Sequence, residues 1–366
     1  MNIDLKSVSS PSRVAGAEEG ISVEELQLAA RNHGLPLEAL RFDLTPPGLH
    51  YLLTHYDIPV VDPTDFRLVV DGLVDTALSL DLDAIRSRRA VSTVVTLECA
   101  GNGRAELRPR PVSQPWLVEA VGTSRWTGTP LAPLLREAGM QDGAVDVVFT
   151  GADHGIERGV EQDYQRSLPI EQALRDDVLL AYEMNGEPLP PQHGFPLRLI
   201  VPGWYGMAQV KWLSQIDVVA DPFDGFQMGA YRLRDRPDEP GAPLTVIEPR
   251  ALLVPPGFPD FMSRRRVLRP GRVTVEGRAW SGWAPVRAVD VSVDGGEAWA
   301  SATVEPAPDR WGWARWTWAW EASEGEYVLS ARAWDMSGRG QPDDQPWNRG
   351  GFRNNVAQRV RVAVVS

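Results

Sequence analysis

The 366-residue chain carries 49 acidic against 37 basic residues, and a formal charge of −12 repels a phosphate backbone, which excludes nucleic acid as a partner. A hydrophobic fraction of 43 % is that of a globular protein, and at this length two cores are expected rather than one. One cysteine cannot form an intramolecular disulfide, so no oxidising compartment is required, and no apolar run is long enough to predict a membrane span.

Residues 1–20 are polar and rich in Ser, Pro and Gly, and read as a loose tail. Their opening, MNIDLKSVSSPSRVAG, lacks a basic segment followed by an apolar one, and with no twin arginine the expected location is cytoplasmic. Ser22-Val23-Glu24-Glu25 has the form of a capping box and predicts a short helix ending near His33-Gly34. Prolines 59 and 63 hold an extended path into a strand over Phe66–Val70, and SLDLDAIRS at 79–87 predicts a strand end and a short helix. Val91–Leu97 is short and rich in β-branched residues, the pattern of a buried strand. It runs into Glu98-Cys99-Ala100-Gly101-Asn102-Gly103-Arg104. Gly101 and Gly103 can take positive φ freely and Asn102 tolerates it, so the lone sulfur of Cys99 is expected where the strand breaks into a loop.

Thr129-Pro130 followed by LAPLLREAG predicts an N-cap, a proline at the first helical position and a terminal Gly139. Strands are expected at Val145–Thr150 and Val178–Met184, the second closed by an Asn185-Gly186 turn. The stretch PPQHGFPLRLIVPGWYGMAQVKWLSQIDVV then joins a proline-bounded loop, a strand, a glycine turn and another strand, with few and scattered polar residues, as the wall of a ligand site requires. RPDEPGAP, from Arg236, reads as a linker. Beyond it alternating runs predict antiparallel strands and no helix: Val273–Ala279, Val289 to Val293, Trp316 to Trp320, Tyr327–Trp334 and Val360–Val365. Tryptophans at alternate positions predict core or a protein interface ahead of a carbohydrate platform.

Four stretches together resemble the sulfite oxidase family of molybdenum enzymes: TLECAGNGR, AYEMNGEPLPPQHGFPLR, the VPG turn followed by VKWL, and AWSGWAPVRAVDVSVDGGEAW. The resemblance implies an α+β chain, with a mixed α/β molybdopterin-binding domain at 45–235 after an N-terminal tail and short helix at 1–44. An immunoglobulin-like β-sandwich at 236–366 would mediate homodimerisation. It implies that Cys99 is the thiolate that binds molybdenum, which suits a soft ligand for a redox metal. Asp153, His193, Arg198 and Lys211 fall on positions that hold the pterin and its phosphate, with Gln209 on the same segment. Arg and Lys supply the charge-assisted donors that an anionic cofactor needs. Tyr231 and Arg104 fall on positions beside the reacting oxygen.

The chain departs from the family where the substrate dianion is held. One of its arginines becomes His55, which then lines both substrate and cofactor space; the other becomes Gly350, with Arg349 one residue away. An imidazole is only partly charged at neutral pH whereas a guanidinium is always charged. The family's animal haem domain has no counterpart in this sequence, so electrons are expected to leave to an external acceptor, a cytochrome c or oxygen. The reading is a molybdenum-cofactor oxidoreductase passing an oxygen atom to a sulfur-containing substrate, sulfite first. Open alternatives are reduction of an S-oxide or oxidation of another sulfur compound on the same cofactor, a thiol hydrolase using Cys99 with His154 or His193, and a non-enzymatic binding module built on the tryptophan-rich sandwich.

Overall fold

The computed structural model describes residues 4–9 and 12–366. In the first half ten strands alternate with short helices: β1 (Leu68–Gly72), β2 (Leu78–Leu80), β3 (Val91–Glu98), β4 (Val121–Pro130), β5 (Asp146–Glu157), β6 (Val160–Pro169), β7 (Leu179–Met184), β8 (Glu187–Pro188), β9 (Arg198–Ile200) and β10 (Leu213–Val219). They form two sheets, one ordered β2-β1-β10-β5-β6 with β1 and β10 parallel, the other β3-β4-β7-β8 with β9 also on β7. The final five residues of β3, Val94 to Glu98, are all buried, because apolar structure covers both faces of that end of the strand. The alternating start and continuous finish of VSTVVTLE follow from this.

The second half holds β11 (Arg232–Leu233), β12 (Ala242–Pro243), β13 (Arg250–Leu253), β14 (Phe258–Pro259), β15 (Arg266–Leu268), β16 (Gly271–Trp280), β17 (Val286–Ser292), β18 (Ala300–Ser301), β19 (Thr303–Glu305), β20 (Ala314–Ala322), β21 (Gly325–Asp335) and β22 (Val360–Val364). Two sheets, β13-β16-β20-β19 and β14-β15-β22-β21-β17-β18, pack face to face. Trp316 and Trp320 of β20 are buried in the core between them with Val289, Val291 and Leu329, so these period-two aromatics are interior residues.

Several local expectations change. The capping box is present, Ser22 Oγ accepting from Glu25 N and Glu25 answering on Ser22 N, and it starts a helix over Val23–Arg31. The N-terminal stretch is more than a loose tail: Leu5–Val8 is one helical turn, Ala15 is buried, and Val14 pairs with Pro111. Thr129 and Pro130 finish β4, so Pro130 is itself the cap of the helix Leu131–Glu137 rather than its first residue. Strand β5 runs on to Glu157 and turns at Arg158-Gly159 (φ 51° and 77°) into β6, a long hairpin that the composition of this stretch conceals.

The loop after β3 differs in an instructive way. Only Gly103 has a positive φ, 89°; Gly101 is glycine because a Cβ there would lie 2.5 Å from the Arg104 guanidinium. Asn102 acts through its amide. Nδ2 donates to Glu98 Oε1 (3.0 Å) and to Val118 O (3.2 Å), while Oδ1 accepts from Ala120 N (3.0 Å). Glu98 also accepts from Trp280 Nε1 (2.8 Å) and lies 2.8 Å from Arg250 Nε, both residues of the second half. The Arg250 contact is a buried ion pair rather than an aligned hydrogen bond, since its Nε–H points to no acceptor. A shared core of Ala100, Tyr231, Leu252, Trp280 and Phe352 surrounds this clasp. Removing one member of a buried pair strands the other's charge, so Arg250→Met should destabilise the protein by about 3–5 kcal/mol in equilibrium denaturation. An unchanged midpoint and slope would show that the clasp contributes nothing.

Candidate active site

Cys99 directly follows β3, buried, its N–H bonded to Ala120 O (2.9 Å). Burial pushes its thiol pKa up, against the pull of nearby Arg104, so the free sulfur is protonated and inert until a cation takes it as thiolate. It lines two adjoining cavities that share Leu53, His55 and Tyr231.

The inner cavity also gathers Asp153, His193, Arg198, Gln209 and Lys211. The proline-bounded loop presents His193 in a 3-10 turn ending at Gly194, its Nε2 3.2 Å from Pro47 O. β9 supplies Arg198, whose guanidinium donates to His193 O (2.8 Å) and Gln209 O (3.3 Å) and stacks on Trp126, its carbon 4.7 Å from the ring centroid. Arg198 Nε is buried without a partner. Lys211 donates to Leu53 O (2.9 Å) and Gln192 O (3.2 Å) and sits 4.3 Å over Trp212.

Neither cation has an ion pair within the 4 Å limit among the described residues. Burial lowers the pKa of both, and Arg198 lowers that of Lys211 further. Asp153, the carboxylate that acts on Lys211, is itself raised by burial, with Lys211 and then His55 opposing. Buried cations held by carbonyls and rings alone are costly unless an anion joins them. The donor set therefore fits an anionic, phosphate-bearing group. Gln209 lines the same wall, but its amide is taken up by Val201 N (2.6 Å), Val201 O (2.8 Å) and Trp204 O (3.1 Å), so it braces the VPG turn.

His55 and Tyr231 come together at the junction of the cavities, the Tyr231 hydroxyl 3.0 Å from His55 Nε2. Arg104 faces the outer cavity, donating to Gly350 O (2.8 Å) and Gln114 O (3.3 Å), with no carboxylate partner among the described residues. His154 lies elsewhere, exposed on β5 between Asp163 (2.8 Å) and Glu161 (3.1 Å), so it provides no base for Cys99. Among the described residues no group of three His, Cys, Asp or Glu could hold a metal ion.

Sequence reading missed three residues here. Glu157, delivered by the β5–β6 turn, lies 3.6 Å from His55 Nδ1 and accepts from Gln227 Nε2 (3.2 Å). Burial opposes its ionisation, but His55, Gln227 and Arg158 outweigh it and hold the carboxyl below the usual range. The turn pair Arg158-Gly159 was the available signal for that hairpin. His50 and Tyr51 also line the inner cavity. His50 Nδ1 lies 3.0 Å from Tyr51 O, and Nε2 is buried without a partner.

Burial drives the His50 pKa down to about 4. An imidazole in the unfolded chain binds its proton near ~6.5, so the unfolded state takes up a proton that the folded state refuses as pH falls from about 6.5 to about 4, and stability drops across that window. His50→Phe should flatten this loss in the cofactor-free chain, read as the slope of unfolding free energy against pH. A slope equal to that of the parent would rule His50 out as its source.

Residues 55–227 match the oxidoreductase molybdopterin binding domain, and residues 258–365 the Mo-co oxidoreductase dimerisation domain. The chain is 37 % identical over 356 residues to sulfite oxidase of Gallus gallus, covering 88 % of this chain and 73 % of that protein. Mitochondrial sulfite oxidase of Mus musculus is 34 % identical over 347 residues, and there the chain spans 62 % of the relative. Nitrate reductase [NADH] 1 of Oryza sativa subsp. japonica is 32 % identical over 356 residues, 38 % of its length. The solved structure of the sulfane dehydrogenase SoxCD from Paracoccus pantotrophus shares the fold, with a TM-score of 0.78 at 24 % identity, over 100 % of this chain and 97 % of that one. The α+β architecture with its second β-sandwich and the molybdopterin cofactor are thus those expected, and the chain belongs to the sulfite oxidase family of molybdenum-dependent oxidoreductases.

Proposed function

We propose that this chain oxidises a sulfur oxyanion, sulfite foremost, on a molybdenum-molybdopterin cofactor and passes the electrons to an external acceptor. The observation that carries the reading is the pair of carboxylate-poor cations, buried Arg198 and half-buried Lys211, in a cavity walled by Cys99. When bound, the cofactor supplies two-electron oxygen-atom transfer. The overall reaction, sulfite plus water to sulfate, two protons and two electrons, balances without any oxidant beyond the acceptor.

The protein's part is binding and orientation. Arg198 and Lys211 hold the anionic end of the cofactor with His193 and Asp153 beside them, and Cys99 ties its metal to the end of β3. The Tyr231 hydroxyl and the His55 ring, hydrogen bonded to each other, face the reacting atoms, and Arg104 gives the adjoining space a fixed positive charge. Burial of the site excludes bulk water and strengthens each of these interactions.

Residues 45–235 form the catalytic unit in this reading and residues 236–366 the homodimerising one, supported by their separate sheet pairs and by the dimerisation-domain match. No helix among the described residues is long and apolar enough to cross a membrane. A cytoplasmic location is supported by the lone cysteine, and the formal charge of −12 favours a basic acceptor such as a cytochrome c over a neutral one by electrostatic steering.

Protein produced with a competent cofactor supply should contain about one molybdenum per chain by elemental analysis and reduce ferricyanide or cytochrome c in the presence of sulfite. Cys99→Ser should abolish the turnover. Full activity in metal-free protein would refute the reading. His55→Arg should lower the KM for sulfite by about tenfold through a fixed charge–oxyanion contact. A KM that does not move would mean that position 55 does not meet this substrate.

A further inference from the structure

Gly350 stands where the family places a substrate-binding arginine, and the reason is steric. A Cβ at this position would lie 2.3 Å from the Phe352 ring. That ring packs on Tyr231, centroid to centroid 5.2 Å, and beneath Arg104, whose guanidinium carbon is 5.1 Å from its centre. With His55 opposite, the space beside the reacting atoms is walled largely by rings. The displaced cation is Arg349, half-buried and free of any ion pair among the described residues. Its backbone N–H donates to Arg234 O (2.8 Å), which brings a second arginine to the same edge; the Arg234 guanidinium donates to Gly229 O (2.6 Å) and also has no carboxylate partner.

Both arginines line the outer cavity, which reaches inward to Cys99, Arg104 and Tyr231 and has a volume of about 520 Å³. A single water needs only about 10–15 Å³ of such space, so a four-atom oxyanion would leave most of it empty. Its carboxylates offset little of the positive charge. Glu25 is held by Arg110 at 2.9 and 3.0 Å, and Glu157 faces His55, which leaves only exposed Glu24. In a chain of net charge −12 this is a local inversion of sign, which concentrates anions at the cavity.

We propose that, besides sulfite, the site accepts an extended sulfur anion, with its reacting sulfur near Tyr231 and His55 and a second negatively charged end, several bonds away, held by Arg349 and Arg234. This rests on the oxidoreductase reading above and specifies its substrate class. The reaction keeps the same balance: the sulfur gains one S–O bond with oxygen drawn from water, two protons are released, and two electrons pass to the external acceptor, as two equivalents where it takes one electron at a time. Arg104 serves the inner end and Arg349 the outer one.

The test uses molybdenum-loaded protein and two unreactive probes, methanesulfonate with one charged end and ethane-1,2-disulfonate with two, titrated calorimetrically. The disulfonate should bind at least about tenfold more tightly, and the Arg349→Ala, Arg234→Ala double variant should erase that gap while Arg349→Lys keeps part of it. Equal affinities for the two probes, or a gap that survives the double variant, would overturn the proposal. Failure of the underlying function is read separately, as absence of molybdenum or of sulfite-dependent ferricyanide reduction in the same preparation.

Discussion

Glu98 is a buried carboxylate whose neighbours come from three separate parts of the chain. One oxygen accepts from Asn102 in the following loop and faces Arg250 of the sandwich; the other accepts from Trp280. A carboxylate taken out of water is tolerated only when such partners surround it, so the loop and both halves of the chain must close together for any of them to be stable. Cys99 is the next residue. Its position is therefore set by the domain junction, and the sandwich helps to hold the sulfur although the sulfur belongs to the first half.

A second constraint has the opposite sign. Buried Arg104 and Arg198 and half-buried Lys211 stand around the site with carbonyls and aromatic rings as partners in place of carboxylates. Pairing each with an acid would stabilise the empty chain and remove the attraction for an anion. The structure keeps the cations and lets the rings of Trp126, Trp212 and Phe352 moderate their desolvation. Affinity for the cofactor and lower stability of the cofactor-free chain then have one physical origin.

Features governed by local chemistry were legible in the sequence. The capping box at Ser22, the Asn185-Gly186 turn with φ of 56° and 88°, the β3 strand and the alternating tryptophans of β20 each follow from a few neighbouring residues. The candidate site was legible through the family resemblance, because Cys99, Asp153, His193, Arg198 and Lys211 are scattered over more than a hundred residues and only the fold gathers them in one cavity. What escaped depends on long-range geometry. Arg158-Gly159 signals a turn beside Glu157, but no local residue says that the hairpin will carry it to His55, and Gly101 looks like a turn glycine when it is a space left for a guanidinium. Gln209 is the converse case: it lines the cavity as its segment suggests, while the backbone of the VPG turn takes its amide.

The same logic explains why the two replaced arginine positions must be read as a pair. A His at position 55 alone would weaken the grip on a dianion and leave the other arginine to hold it. On the proposed correspondence Gly350 lacks that second contact as well, and a Cβ there would lie 2.3 Å from the Phe352 ring. Yet positive charge is kept: it moves one residue along the chain to Arg349 and is joined there by Arg234. Loss of charge without relocation would describe a site for a neutral substrate, whereas relocation outward adds a hold for an anion that carries a second charge far from its reacting sulfur. The family chemistry at Cys99 is compatible with either, and it is the position of the arginines that separates them.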